Sequence, residues 1–159
     1  FDAANPDVEL PGCPTMDNLN NPLTDPVIEV NNANNPKGGR ATTIIGGNVY
    51  RGKDIKGWNG KYIFGTYSQS PDAPDAELFM STPGGNGLWD YEEIHLKDHP
   101  NDIGYYLKGF GQDDEGEVYL CVSTIGGPSG SAGKVLKLVA EKKHGHGHDN
   151  GGHGGGWKD

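Results

Sequence analysis

Long hydrophobic runs are missing from this sequence. No stretch of about 18 apolar residues occurs, so no segment reads as a helix that spans a bilayer. Apolar side chains are scarce in general, at 33%, where globular domains usually carry about 45–50%. The shortage is uneven. Residues 1–39 are rich in Asn, Asp and Pro, and residues 140–159 are almost free of apolar side chains. The core is therefore expected from residues 40–139, one domain's worth of chain. Positive charge is also in deficit, with 13 Lys and Arg against 22 Asp and Glu, a net charge of −9. Such a surface repels a phosphate backbone and anionic lipid, which argues against nucleic acid and membrane surfaces as partners.

Cysteine is reduced to Cys13 and Cys121. With no CxxC pair, a zinc site built from thiolates is excluded. Two readings stay open: one disulfide closing a long loop in an oxidising compartment, or a free Cys121 in a strand with Cys13 engaged elsewhere. Helical periodicity is absent too, since no dozen residues place apolar side chains at the three-four spacing. GxSxG, P-loop and HExxH patterns do not occur. The chain opens on Phe1 and not Met, as expected of a processed chain or a fragment, and no signal-peptide pattern is read in these residues.

Strand signals fill the middle: short runs of Val, Ile, Tyr and Phe broken by Gly, Pro and Asn. Strands are expected at Ala41–Tyr50, Lys61–Tyr67, Ala76–Thr82, Tyr91–Leu96, Tyr105–Gly111, Glu117–Ser123 and Gly133–Val139. Residues 112–116, QDDEG, read as a hairpin turn whose Gly116 takes positive φ. Seven short strands predict an all-β fold, an antiparallel meander of sandwich, barrel or propeller type. Residues 1–39 read as an extended Pro/Asn-rich arm, within which DPVIEV (25–30) can be a strand of a neighbouring blade. Residues 140–159 read as a Gly/His-rich tail.

In that tail His144, His146 and His148 alternate with glycine, and His153 follows. In extended backbone the first three imidazoles project from one face about 6.5–7 Å apart. Imidazole is a common ligand of Zn, Cu and Ni, so the tail is a candidate metal site. His95 and His99 are of a residue type that can serve as a general base, and they read as surface residues. Adjacent Glu92 and Glu93 point to opposite faces and form no acid–base pair. Asp113, Asp114 and Glu115 lack the spacing of a calcium loop. The aromatic residues Trp58, Tyr62, Tyr67, Trp89, Tyr91, Tyr105 and Tyr106 read first as blade packing, with a carbohydrate-contact surface as the alternative.

Several motifs follow one another in fixed order: DPVIEV (25–30), GGRATTIIGGNVYRG (38–52), GKYIFGTYS (60–68), LFMSTP (78–83), GLWDYEEI (87–94), YYLKGFGQDDEGEVYL (105–120) and GGPSGSAGKVLKLV (126–139). In this series the chain resembles the C-terminal blades of the glucose/sorbosone dehydrogenase family, soluble pyrroloquinoline quinone (PQQ) enzymes with six-bladed propellers. The resemblance implies four-stranded blades of a partial propeller, about one to two, over residues 40–139. It implies a secreted oxidoreductase that moves a hydride from the anomeric carbon of an aldose onto PQQ, with calcium. In that family the His base and most cofactor and calcium contacts belong to earlier blades. The last blades supply cations to the quinone's carboxylates, as suits Arg–carboxylate pairing. Here the sequence departs from the family. Its only arginines are Arg40 and Arg51, the strand before GFGQ reads IGYYLK (103–108), and Lys108 is the one candidate cofactor-binding cation.

Three functions follow as expectations. The chain is the C-terminal part of an extracellular or periplasmic PQQ-type aldose dehydrogenase, completing a propeller with a companion chain. Alternatively it is a non-catalytic, self-assembling module of the same descent, or a metal-binding surface protein through its His-rich tail.

Overall fold

The computed structural model describes residues 14–85 and 87–141, and the backbone of residues 155–158. Strands β1 (Ile44–Val49), β2 (Tyr62–Thr66), β3 (Leu78–Ser81) and β4 (Tyr91–Glu93) form one antiparallel sheet in sequence order. Strands β5 (Tyr106–Gln112), β6 (Val118–Ser123), β7 (Gly133–Ala140) and β8 (Gly155–Lys158) form a second sheet, again in sequence order. The all-β, antiparallel expectation is met. Among the described residues no helix is long and apolar enough to cross a membrane.

Alternation sorts each strand's residues between two faces. Ile63, Leu78 and Met80 point inward from the first sheet. Leu107, Val118, Leu120, Val122, Leu136 and Leu138 meet them from the second, and together they form one core. Burying each such side chain is worth about 1.5–3 kcal/mol, so this shared layer holds the sheets face to face. Along one side β1 lies against β5. The connection between the sheets adds Ile94, Leu96 and Ile103 to the core, all buried. A strand bulge sits in each of these neighbouring strands. In β1 the register shifts between Ile45 and Asn48, and a Cβ on Gly47 would lie 2.1 Å from the Ile63 carbonyl oxygen. In β5 it shifts between Leu107 and Gly109, which sets Lys108 outside the ladder.

Among the described residues DPVIEV pairs with no strand of these two sheets. Its Val27 carbonyl instead accepts a hydrogen bond from the Trp89 N–H at 2.6 Å. Two expectations are corrected. The strand expected over Tyr91–Leu96 stops at Glu93, where Leu96 bridges to His99 in a tight turn. An eighth strand arises from residues expected as tail: Gly155–Lys158 pairs antiparallel with β7, with Ala140 opposite Gly155 and Lys137 opposite Lys158. Its GGWK sequence has little strand propensity of its own, and the open edge of β7 supplies what propensity does not.

Candidate functional site

Lys108, the expected cofactor cation, is exposed on β5, and its ammonium is engaged by its own chain. It donates to the Gly126 carbonyl and to the Tyr67 hydroxyl at 3.3 Å. It also stands 4.7 Å from the centre of the Tyr67 ring and 5.3 Å from that of Tyr106, within cation–π range. The Tyr67 hydroxyl donates to the same Gly126 carbonyl at 2.6 Å. Lys108 thus belongs to a knot that ties the residue after β2 to β5 and to the β6–β7 connection.

Arg40 is likewise committed. Its guanidinium donates to both carboxylate oxygens of Glu77 and to Glu93, and it packs over the Phe79 ring at 5.5 Å. These bonds pin the end of the arm to the first sheet. Glu77 is 3% exposed. Burial pushes its carboxyl above the usual carboxylate range, and the Arg40 bonds oppose that without cancelling it. Folding then raises the proton affinity of Glu77, so the folded state holds more protons just above pH 4.5. Stability at this group is full below the unfolded value and falls as pH rises through the folded one. Urea unfolding across that window should show the fall. Arg40→Met should deepen it, and Glu77→Gln should remove this component.

The expected histidine ligands His144, His146, His148 and His153 lie outside the described residues, as does Cys13. Cys121 carries a free thiol, half-buried on β6. His95 is exposed, with Nδ1 2.8 Å from the Pro100 carbonyl and 3.5 Å from Glu93. Glu92 pairs with Lys61 at 3.2 Å, on the face opposite Glu93.

Two motifs that the sequence separates by more than 60 residues meet in space. The segment after β1, Tyr50–Ile55, wraps the carboxylate of Glu117, which is 3% exposed. Glu117 Oε1 accepts the N–H groups of Lys53 (2.8 Å) and Asp54 (3.0 Å), and Oε2 accepts the Tyr50 hydroxyl (2.7 Å). That hydroxyl accepts the Ile55 N–H at 2.9 Å. Burial and the Glu117 carboxylate push the Tyr50 hydroxyl upward in pKa. Gly52 leaves room for the carboxylate, since a Cβ there would stand 2.2 Å from Oε1. The Arg51 N–H donates to the Gly116 carbonyl at 3.2 Å. The GGNVYRG and DDEGEVY motifs are therefore the two halves of a lock between the sheets.

The first sheet's outer face carries a different surface. Tyr62 and Phe64 stack with ring centroids 5.6 Å apart, Phe79 lies tilted against Phe64, and Tyr91 meets both Phe64 and Phe79 edge-on. Above Tyr62 and Phe64 a hollow of about 460 Å³ opens, walled by Val27, Ile28 and Val30 of the arm and by Trp89. The Trp89–Val27 hydrogen bond closes its rim. Val27 and Ile44 at its edge are 43% and 42% exposed. Aromatic residues are plentiful along the chain, with no local sign of which line the hollow. Trp58 and Tyr106 are buried, while Tyr62 and Trp89 line the hollow.

The fold is thus that of an all-β protein made of two four-stranded antiparallel meanders in sequence. No family model matches the chain, and no solved structure matches it. The chain is similar to Hedgehog-interacting protein of Mus musculus and of Homo sapiens, at 29% identity over 103 residues in each case. The match takes in 63% of this chain and spans 14% of the length of those relatives.

Proposed function

We propose that the chain supplies two consecutive blades of a β-propeller in an extracellular protein, and that it binds another protein instead of oxidising a sugar. The observation that carries the binding role is the open apolar hollow on the first sheet, with Val27 and Ile44 exposed at its edge. Exposed apolar surface of this kind marks interaction sites. The blade reading is supported by two meanders in strict sequence order, packed face to face with β1 beside β5. The relatives are named for interaction with Hedgehog, and a protein-binding role for this chain accords with that. The remaining blades belong to a companion segment or to further copies of the chain.

Two features weigh against PQQ chemistry at the expected site. PQQ is a tricarboxylate, and Lys108 offers one ammonium already bonded to Tyr67 and Gly126. Arg40, beside the first sheet, is spent on Glu77 and Glu93. These residues do not fit the quinone. Reconstitution of the whole chain with PQQ, calcium and a panel of aldoses tests the reading. No dye reduction above the protein-free control is expected, and sugar-dependent reduction proportional to the chain would overturn it.

A further inference from the structure

A cavity of about 660 Å³ opens at the end of the second sheet, where the β6–β7 connection meets β5 at Lys108. It is built on a strand-end connection, and blades that stack face to face leave such connections open. Its lining departs from the rest of this acidic chain. Lys108 and Lys134 both line it, and no Asp or Glu does. Lys61, Lys97 and Lys137 each meet a carboxylate. Among the described residues neither Lys108 nor Lys134 forms an ion pair. Lys108 stands over the Tyr67 ring and Lys134 over the Tyr105 ring, contacts that place an ammonium without neutralising it. Lys108 gives two of its three N–H donors to Tyr67 and Gly126 and keeps one. The backbone adds further donors. Gly126, Gly127, Ser129 and Gly130 lie on the cavity wall, and among the described residues their N–H groups enter no recorded hydrogen bond. Gly130 turns at φ +118°, and a Cβ on Gly127 would meet nothing within 4 Å, so the backbone here is open to a ligand. Turns with successive free N–H groups make anion-binding concavities.

We propose that this cavity binds a small molecule through a tetrahedral oxyanion, a phosphate or sulfate monoester. The donor set selects that class. Two ammonium groups act as point charges, which suit phosphate, and the lining holds no guanidinium fork to take a planar carboxylate. The oxyanion meets the loop's free N–H groups and the Ser129 hydroxyl, while Lys108 and Lys134 supply the charge. A single oxyanion asks less of Lys108 than the three carboxylates of PQQ. The volume is larger than the ion needs and leaves room for a sugar-sized remainder. This site stands apart from the protein-binding reading.

The test is equilibrium dialysis of the whole chain against radiolabelled inorganic phosphate, at about 0.1 M ionic strength in chloride. Saturable binding of one phosphate per chain is expected. Lys134→Gln changes one exposed side chain and should weaken binding about tenfold, as the loss of one charge-assisted hydrogen bond does. Lys97→Gln removes the same charge at the Glu141 pair and should leave binding unchanged. Cys121 reports the place, because its thiol lines the same cavity. In a Cys13→Ser chain, phosphate should slow alkylation of Cys121 by iodoacetamide several-fold, and chloride at equal ionic strength should not. Glucose 6-phosphate and glucose 6-sulfate, competed against the label, separate the two sources. The stronger competitor names the ester, and displacement by either supports the oxyanion site. Absence of saturable binding overturns the proposal. Binding that Lys134→Gln leaves unchanged, or that Lys97→Gln weakens equally, overturns it as well. Binding that leaves Cys121 unprotected puts the anion elsewhere and overturns it too.

Discussion

Glu117→Ala should cost about 4 kcal/mol of folding stability, because it strands one buried and two part-buried donors at once at roughly 1–3 kcal/mol each, with partial relaxation. The donors are the Tyr50 hydroxyl and the N–H groups of Lys53 and Asp54, each within 3.0 Å of the carboxylate. Tyr50 is fully buried, so its hydroxyl depends on protein partners. Thermal unfolding should register a fall in Tm of about 10 °C, given that 1 kcal/mol moves a domain of this size by about 2–4 °C. Glu117→Gln keeps the size and one accepting oxygen, so it should cost less, about 1–2 kcal/mol. Tyr50→Phe removes one donor and leaves the carboxylate with two, and should cost about the same. The order Ala, then Gln and Phe is the diagnostic. If Glu117→Ala costs no more than Tyr50→Phe, the carboxylate is not what holds Tyr50–Ile55 against the second sheet.

This lock also shows what sequence could and could not give. Strand positions were legible because Val, Ile, Tyr and Phe alternate between Gly and Pro breaks, and the Asp113–Gly116 turn was legible because hairpin turns demand a residue that accepts positive φ. GGNVYRG and DDEGEVY were recognisable as motifs, yet their pairing was not. Nothing local in Glu117 says that its partners are the backbone of residues 53 and 54. The same holds for β8, whose GGWK is a strand only because β7 offers an unpaired edge. It holds for Lys108, where residue type suggested a ligand cation and Tyr67, Tyr106 and Gly126 engage it instead. The aromatic residues made the hollow possible, but whether an aromatic is core or surface depends on which face its neighbours cover, which is a tertiary property.

Gly116→Ala should be nearly as damaging, by about 3 kcal/mol, and through different physics. Gly116 sits at φ +84°, in the left-handed region where an L side chain costs about 1–2 kcal/mol. Space adds to the penalty. A Cβ there would lie 2.5 Å from Arg51 Cβ, 2.7 Å from the Arg51 carbonyl carbon and 2.9 Å from the Gly52 nitrogen. Two of those three atoms are backbone, so relief requires the segment after β1 to move away, and overpacking of that kind costs about 1–3 kcal/mol. Moving it stretches the Arg51 N–H bond to the Gly116 carbonyl and loosens the wrap around Glu117. Gly111→Ala is the control: it lies on β5 with ordinary φ, and its Cβ would meet nothing within 4 Å. There the loss of glycine's unfolded-state freedom should leave stability unchanged or raise it by about 0.5–1 kcal/mol. The two substitutions fall five residues apart on one hairpin, so urea midpoints that separate by less than about 1 kcal/mol would mean the sheets do not meet tightly at Gly116. Combining Gly116→Ala with Glu117→Ala should cost less than the sum, because the first substitution already opens the segment that the carboxylate holds.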